Sequence, residues 1–396
     1  MKHVFHTEAV RRLRRSLLCV LLALSLLFTL PLSVTAADWR ALALALTDAA
    51  GEGQGLLAGL LPAAGTTAGD WYALAVGALG TEDPAPYAYA LAGQVRARYA
   101  AEGGLSANKA TEYHRVALTF AALGYDPTAV PLEDGGAADL LADGVFAFPN
   151  VGRQGVNGQI FALLTLSAFG ETDPRPAANT DAPRLIAALR AKQNPDGGWS
   201  LSGEASDPDV TAMAITALCM AGEDPNGDAI AAAFAFLSSV RTASGAFFGR
   251  EGETCETAAW VILALLSAGR DPDTDPAFTA DGVSAADGFL GFRRADGTFC
   301  HTLTDDTHDA AITNAEALLA LTALAKHAAG EPFLFDFSGR TLVKIDPARV
   351  VAPEPDPEPA PSIAPATRKM IVAGVAVAVI VIGVAALYVR RRKRGR

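Results

Sequence analysis

The repeating unit of this chain is clearest in the stretch Gln193-Asn194-Pro195-Asp196-Gly197-Gly198-Trp199-Ser200, which an almost wholly apolar segment follows at residues 209–222. Glycine supplies the left-handed turn of such a loop, and the next apolar residue plugs the gap between two helices. Weaker copies of the loop are Glu102-Gly103-Gly104-Leu105, Thr242-Ala243-Ser244-Gly245-Ala246-Phe247 and Arg294-Ala295-Asp296-Gly297-Thr298-Phe299. The chain therefore contains an internal repeat.

Six apolar segments, rich in alanine and leucine, are the most regular part of this repeat. Five of them end near an Asp-Pro pair, and the pairs follow one another at intervals of 43 to 51 residues. A glycine at a helix end with proline soon after is a helix stop signal. A helix that is apolar on every side is buried on every side. The segments are residues 71–80, 112–124, 157–170, 209–222, 256–269 and 312–326.

Six other segments alternate with the apolar ones, and the better of them are amphipathic. In residues 184–190 the apolar side chains keep helical spacing. Six amphipathic helices alternating with six buried ones predict an all-α fold, an (α/α)6 toroid with the apolar helices inside. An open helical solenoid is the competing geometry, and six pairs favour closure. The amphipathic segments are residues 39–47, 86–99, 137–142, 181–193, 228–241 and 283–294.

The N-terminal residues have the pattern of a secretory signal peptide. Four arginines between residues 11 and 15 precede an apolar run at residues 17–32, and Val34-Thr35-Ala36 provides small residues before a cleavage point at Ala37. We expect a signal peptide at residues 1–36; a retained membrane anchor is the alternative.

The C-terminal residues predict a single transmembrane helix. Residues 370–389 carry no charge and have the length that crosses a bilayer. Residues 390–396 are strongly basic, which predicts a cytoplasmic tail and an extracellular bulk. A Pro/Glu-rich stalk at residues 347–369 precedes the helix. Between the predicted ring at residues 37–330 and this stalk, residues 331–346 form a short extension that could be a hairpin.

The arrangement of the ends resembles that of bacterial wall-anchored proteins, although no Leu-Pro-x-Thr-Gly sorting motif is present. We therefore expect a retained helix and a single-pass cell-membrane protein. Because basic residues concentrate at both ends, the region between them is more acidic than the net charge of −11 for the whole chain. Such a surface repels nucleic acid, so no nucleic-acid partner is expected.

The loop and the residues after it resemble one family repeat. Gln193 to Trp199, followed by Ser206-Asp207-Pro208-Asp209-Val210-Thr211-Ala212, is similar to the repeat of the prenyltransferase and squalene-cyclase superfamily. The resemblance implies an α/α toroid over roughly residues 38–330, in a cell-surface member. It is weak for activity, because the superfamily includes prenyltransferases, class II terpene cyclases, thioester proteins and cobalamin carriers, and fold does not fix function.

A cyclase-like activity is one function that the resemblance implies. By the match to Asp-x-Asp-Asp-Thr-Ala, Asp209 would be the catalytic acid and Asp207 its helper, but Val210 replaces the third aspartate. Such enzymes line their cavity with aromatic rings, and only 7% of this chain is aromatic. The simpler interpretation is that both aspartates cap the N-terminus of an inner helix.

A prenyltransferase-like activity would require zinc held by Asp, Cys and His, and the resemblance places Thr313 and Glu256 at the family's His and Cys positions. A local zinc site of Cys255, Cys300, His301 and His308 has irregular spacing, so zinc is not expected and no cofactor is predicted. Cys255 and Cys300 precede neighbouring inner helices, and in an oxidising compartment they predict a disulfide.

The remaining branches of the superfamily differ in what they require. The Gly-Cys-Gly-Glu-Gln run of thioester proteins is absent. Cobalamin carriers resemble this chain as secreted toroids without catalytic residues, but residues 332–343 are too short for their β-rich partner domain. A partner on another chain could supply it.

The leading hypothesis is a non-catalytic surface module that binds a small apolar or corrinoid-like ligand, or another surface protein. The expected site is the rim at the inner-helix N-termini, or the cavity mouth that this rim surrounds, where several residue types converge. The alternatives are an isoprenoid-handling enzyme that uses Asp209, and a structural or adhesive module. The candidate ligand-binding residues are Tyr113, His114, Asn157, Trp199, Glu256, Trp260, His308 and Asn314.

Overall fold

The computed structural model describes residues 36–203, 205–304 and 310–352. These residues form twelve α-helices and two short antiparallel strand pairs. The helices are α1 Ala36–Ala50, α2 Leu56–Gly59, α3 Thr67–Leu79, α4 Ala85–Glu102, α5 Ala110–Ala122, α6 Val156–Ala168, α7 Ala182–Ala191, α8 Pro208–Met220, α9 Asp228–Ser239, α10 Cys255–Ser267, α11 Ala285–Leu290 and α12 Ala310–Ala328. The strands are β1 Val130–Pro131, β2 Ala137–Ala138, β3 Phe248–Gly249 and β4 Gly252–Glu253.

Six of the helices form a closed inner ring. Helices α3, α5, α6, α8, α10 and α12 each contact the next, and α12 contacts α3. These helices are buried on almost every side; in α10 each residue from Thr257 to Leu266 is buried. The described residues therefore have the closed, all-α architecture that the alternating segments predict, and an open solenoid is excluded by the contact between α12 and α3.

The outer layer is less regular than the inner ring. Helix α7 packs on α6, α9 packs on α8, and α11 packs on α10. Helix α1 packs mainly on α12, the last inner helix, so the first and last parts of the ring are held together in both layers. Helix α11 spans only six residues, and Ser284 begins it with a capping box to Asp287.

The predicted outer helix at residues 137–142 is wrong. Ala137–Ala138 pairs with Val130–Pro131 as a strand, and the chain then forms a π-helical turn over Ala142–Phe146. The reason is a close approach to α5. A Cβ atom on Gly144 would lie 2.4 Å from the Cβ of Tyr113, and the Gly144 carbonyl lies 2.9 Å from Nε2 of His114. A regular helix could not bring its backbone so close to the side chains of α5.

The repeated loops hold successive repeats together through packing. Gly197, Gly245 and Gly297 have φ of 93°, 86° and 93°, as a left-handed turn requires. The aromatic residues after them, Trp199 and its equivalents in the next two repeats, are completely buried. A Cβ atom on Gly197 would lie 2.4 Å from the Ala232 carbonyl of α9. The loop of one repeat thus presses against the outer helix of the next.

Residues 331–346 contain no strand of either pair, so the hairpin that they could have formed is not present. Val343 instead forms an isolated parallel bridge with Tyr125, beyond the end of α5. The Val343 amide donates to the Gly124 carbonyl at 2.9 Å, and the Asp126 amide donates to the Val343 carbonyl at 2.9 Å. Because the backbone groups of Val343 bond to the ring, they are not available for a strand pair within residues 331–346.

The chain after α12, residues 331–352, forms a strap across the ends of several inner helices. The Phe337 amide donates to the carbonyl of Ala168, the last residue of α6, at 2.9 Å. The guanidinium of Arg340 donates to the carbonyls of Ala121 and Ala122 at 3.2 Å each. These contacts cap carbonyls that a helix leaves unpaired at its C-terminus. The strap therefore covers the C-terminal side of the inner ring.

Most of the predicted terminal segments lie outside the described residues. They are the signal peptide before Ala36, the stalk beyond residue 352, the transmembrane helix at residues 370–389 and the tail at residues 390–396. Within the part of the chain that the structure describes, no helix combines the length and the apolar character needed to cross a membrane.

The contact between Gly245 and α11 gives a test of the loop's role. A Cβ atom on Gly245 would lie 2.4 Å from the Ser284 carbonyl and 3.0 Å from the Gly288 amide. Gly282 also has positive φ, but no atom lies within 4 Å of its Cβ position. We expect Gly245→Ala to lower the free energy of unfolding by about 3 kcal/mol or more, against about 1 kcal/mol for the control Gly282→Ala.

Urea-induced unfolding followed by circular dichroism measures both losses. Equal losses in the two variants would show that only the backbone conformation matters and that the loop does not wedge against α11.

Candidate functional site

A central cavity of 200 Å³ lies at the N-terminal end of the inner ring. All six inner helices contribute to it, each through residues of its first two turns. The six N-termini therefore converge at one end of the ring, as the sequence predicts. The lining residues are Thr67, Trp71, Thr111, Arg115, Asn157, Phe161, Met213, Trp260 and Glu316.

Three aromatic rings form a continuous wall of the central cavity. The ring centroids of Trp71 and Phe161 are 6.0 Å apart, and those of Phe161 and Trp260 are 5.9 Å apart with the planes at 87°. Edge-to-face packing of this kind is favourable between aromatic side chains. Three aromatic side chains therefore lie where a ligand could contact them.

Glu316 is the acidic group of the central cavity. Its Oε2 accepts a hydrogen bond from Nε1 of Trp260 at 3.2 Å. Burial raises the pKa of Glu316 to about 8, and the charges of Glu256 and Asp209 add to this effect. At neutral pH, with no cation beside it, this carboxyl is therefore protonated for much of the time.

Arg115 is the basic group of the central cavity, and its charge is compensated. Its Nε donates to Asp70 at 2.8 Å, and its terminal nitrogen donates to Glu112 at 2.8 Å. Asp70 also accepts from the hydroxyl of Tyr87 at 2.9 Å, which ties α3, α4 and α5 together. Buried charges persist only when paired in this way. Arg115 is thus a structural part of the wall rather than a free cation.

A second cavity of 220 Å³, the mouth pocket, lies between the N-termini of α8 and α10, the β3–β4 turn and the chain before α12. Its wall is strongly acidic, with two basic groups, Arg250 and His301, among its described lining residues. The complete lining is Asp207, Asp209, Gly249, Arg250, Glu251, Gly252, Thr254, Glu256, Thr257, His301 and Ile312.

Two carboxylates of the mouth pocket repeat one arrangement. The Thr257 hydroxyl of α10 donates to Asp209 of α8, and the Thr313 hydroxyl of α12 donates to Glu256 of α10. In each case a carboxylate near the start of one inner helix is held by a threonine of the next. Nδ1 of His301 lies 2.8 Å from the second oxygen of Glu256. These bonds orient both carboxylates across the helix N-termini.

Asp209 and Asp207 differ in their environments. Burial raises the pKa of Asp209 to about 7, and the charges of Asp207, Glu256 and Glu251 act in the same direction, while the Thr257 bond opposes them. Asp207 caps α8, because its Oδ1 accepts from the amides of Asp209 at 3.0 Å and Val210 at 3.4 Å. The capping interpretation thus holds for Asp207, whereas the side chain of Asp209 faces the mouth pocket.

Three of the candidate ligand-binding residues do line a cavity. Asn157 and Trp260 line the central cavity, and Glu256 lines the mouth pocket. His308 lies outside the described residues.

Four other candidates are structural, which corrects the expectation for them. Trp199 is completely buried, and its Nε1 donates to the Leu189 carbonyl at 2.7 Å. The Tyr113 hydroxyl accepts from the Leu105 amide at 2.9 Å. Asn314 accepts from an amide of the preceding loop, that of Phe299, at 2.7 Å, and donates to the first turn of α12.

The fourth of these residues, His114, is fully buried against the π-helical turn. Its Nε2 contacts the Gly144 carbonyl, and its Nδ1 has no hydrogen-bond partner among the described residues. Burial lowers the pKa of His114 to about 4, so the ring is neutral at physiological pH. A neutral, enclosed imidazole in this position supports the packing of α5 and does not contact a ligand.

Several residues of the central cavity were missed from the sequence, although a signal for them exists. Arg115, Phe161 and Met213 are each the sixth residue of their helix, as is the predicted Trp260, and Glu316 is the seventh of α12. Aligning the inner helices by their first residue would have placed all of them at one level of the ring. The loop motifs instead predicted residues at the rim of the ring.

Cys255 and Cys300 are free thiols, so the expected disulfide is wrong. Cys255 is completely buried, and Sγ of Cys300 donates to the Phe292 carbonyl at 3.2 Å. Within the described residues, no three His, Cys, Asp or Glu side chains group as a metal site would require.

Comparisons with known proteins leave the chemistry open. No family model matches the chain, and no curated protein matches it. Among solved structures, the chain is similar to a type II terpene cyclase from Scytonema in complex with its substrate geranylgeranyl dihydroxybenzoate. The two share 16% identity at a TM-score of 0.40, over 65% of this chain and 86% of the other. Similarity at this level supports no conclusion about the activity or the ligand of this chain.

The raised pKa of Asp209 predicts how stability depends on pH. The folded state holds a proton on Asp209 up to about pH 7, whereas the unfolded chain loses it near the ordinary value of 3.8. The contribution of this group to stability is therefore complete below about pH 4 and is lost as the pH rises through about 7. We expect Asp209→Asn to raise the melting temperature, relative to the unaltered chain, more at about pH 8 than at about pH 4.

Differential scanning fluorimetry across this pH range measures the effect. The same exchange at Asp48, which is exposed on α1, is the matched control and should show no such pH dependence. A shift in the Asp209 variant that is the same at both pH values would contradict the assignment.

Proposed function

We propose that this chain is a non-catalytic binding module that holds a small ligand in the central cavity of its ring. The observation that carries the proposal is that all six inner helices contribute to this one cavity, with aromatic, amide and carboxyl groups facing it. Binding sites are concave and mostly apolar, with a few polar groups that fix the orientation of the ligand. The central cavity has this composition.

The size of the central cavity favours a small molecule. Its 200 Å³ lies below the range of about 300 to 1,000 Å³ that is usual for drug-sized ligands. A corrinoid or a long isoprenoid chain is too large for this volume and would have to lie across the opening of the central cavity. A compact ligand of a few heavy atoms fits the space as it stands.

The hydroxyl groups of the central cavity support binding rather than catalysis. An activated nucleophile needs a base within hydrogen-bond reach. Among the described lining residues the hydroxyls belong to Thr67 and Thr111. The Thr111 hydroxyl is paired with the side-chain amide of Gln154, and that of Thr67 with the guanidinium of Arg115. Neither partner is a base.

Acid catalysis by Asp209 is the second candidate function. The observation that favours it is the raised pKa of about 7, which keeps part of the Asp209 population protonated at neutral pH. Against it, Asp209 faces the acidic mouth pocket, while the aromatic rings face the central cavity. Conversion of a polyprenyl substrate to a product of equal mass, abolished in Asp209→Asn, would establish this function in place of binding.

The proposal also includes the placement of the ring outside the cell membrane. It is supported by the apolar run at residues 370–389, the basic residues that follow it and the signal-like N-terminus. Proteolysis of intact cells should remove the ring but spare a C-terminal cytoplasmic tag. Loss of the tag under the same conditions would contradict this orientation.

A substitution that fills the central cavity tests the binding function. Met213 of α8 lines the cavity, whereas Met220, on the last turn of the same helix, does not. We expect the full chain to retain a small molecule in native mass spectrometry, and Met213→Trp to release it because the indole occupies the space. Met220→Trp should retain it, and it reports the general cost of a tryptophan on α8.

The outcome also separates binding from a structural or adhesive role. A chain that carries no molecule and takes up none from a metabolite extract would favour the structural role. Equal retention in Met213→Trp and Met220→Trp would place the ligand elsewhere on the ring.

A further inference from the structure

We propose that the ligand of the central cavity is a small organic cation of the alkylammonium class, such as one that carries a trimethylammonium group. This inference rests on the proposed function, because it takes the central cavity as the ligand site and adds the chemistry of what occupies it. Four features of the cavity lead to it: the aromatic wall, the buried carboxyl, the surrounding charge and the shortage of hydrogen-bond acceptors.

The aromatic wall offers π-electron density to a cation. Trp71, Phe161 and Trp260 come from three different helices. The ring centroid of Phe161 lies 6.0 Å from that of Trp71 and 5.9 Å from that of Trp260. The face of an aromatic ring attracts a cation through its quadrupole, most strongly for tryptophan. A methylated ammonium group also gains from the apolar surface of the same rings, because its charge is spread over its methyl groups.

The carboxyl of Glu316 supplies the opposite charge. It lines the same cavity as the rings, and the bond from Nε1 of Trp260 holds it against the aromatic wall. In the absence of a cation, burial keeps this carboxyl largely protonated, as its raised pKa indicates. A bound cation would offset the cost of burying the ionised carboxylate, because a buried charge is tolerated when it is paired.

The surroundings of the cavity are net acidic. The guanidinium of Arg115 is the one positive charge among the described lining residues, and it is neutralised in a cluster in which Asp70 and Glu112 pair with Arg115 and Arg98. The mouth pocket adds Asp209 and Glu256, whose charges already act on Glu316. An anionic ligand would meet repulsion from this side, whereas a cation is drawn towards the opening.

The shortage of acceptors favours a quaternary alkylammonium, such as a trimethylammonium group, over other cations. A primary ammonium has three donors to satisfy, and a metal ion such as calcium takes six or more oxygen ligands. The cavity offers the carboxyl of Glu316 and the amide of Asn157. The hydroxyls of Thr67 and Thr111 already accept from Arg115 and Gln154, and the other lining residues, apart from Arg115, are apolar or aromatic. A cation without N–H donors needs none of these bonds and loses less hydration free energy on leaving water for this site than a primary ammonium or a metal ion does.

Choline and its neutral carbon isostere, in which a tert-butyl group replaces the trimethylammonium group, are the decisive probes. The two molecules have the same shape and differ in charge. Titration calorimetry with the full chain should show choline binding at least about tenfold more tightly than the isostere, because the carboxyl and the rings act on the charge. Equal affinity for the two probes would overturn the inference.

Two substitutions test the groups that carry the argument. Glu316→Gln keeps the shape of the side chain and an oxygen for the Trp260 bond, and should weaken choline binding about tenfold or more while leaving the isostere unchanged. Glu102→Gln, on the exposed end of α4, is the matched control and should leave both affinities unchanged. Phe161→Leu keeps an apolar wall and removes a π-face, and should weaken choline selectively.

The experiment separates the ligand class from the proposed function. If the isostere binds as well as choline and Glu316→Gln changes neither, the cavity is an apolar site: the alkylammonium inference fails and the binding function stands. If neither probe binds, the inference fails as well. The comparison of Met213→Trp with Met220→Trp then decides whether the cavity holds any ligand.

Discussion

The burial of six helices that are apolar around almost their whole circumference is the constraint on which this structure depends. An amphipathic outer helix covers one side of an inner helix, and only two inner neighbours can cover the rest. At the ends of an open row one neighbour is missing, which would leave an apolar face in water. The contact of α12 with α3 removes both ends, and α1 covers α12 from outside.

Closure of the ring also creates the place for a ligand. Six helices that start at one level bring equivalent positions together around the axis, where their side chains enclose the central cavity. The chain fills this level with rings, one carboxyl and one arginine whose charge is balanced. A buried carboxyl such as Glu316, which pairs with no cation among the described residues, is costly for folding, so its presence there points to use rather than to stability.

The fold was largely predictable from the sequence, whereas the site was only partly so. Repeating loops and stop signals mark the inner helices, because those features are local. The third outer segment was misassigned because the approach of Gly144 to Tyr113 is a tertiary contact with no local trace. His114 and Trp199 lie near a rim in sequence but point into the packing, and spacing alone does not say which way a side chain faces. Glu316 has no motif at all.

The strap and the two cavities lie at opposite ends of the inner helices. Its bonds lie at the C-terminal ends of α5 and α6, whereas the cavities open at the N-terminal ends, about 20 Å away along helices of this length. The strap therefore lies at the far end of the ring from both cavities. A diffusing molecule can enter either cavity without displacing it.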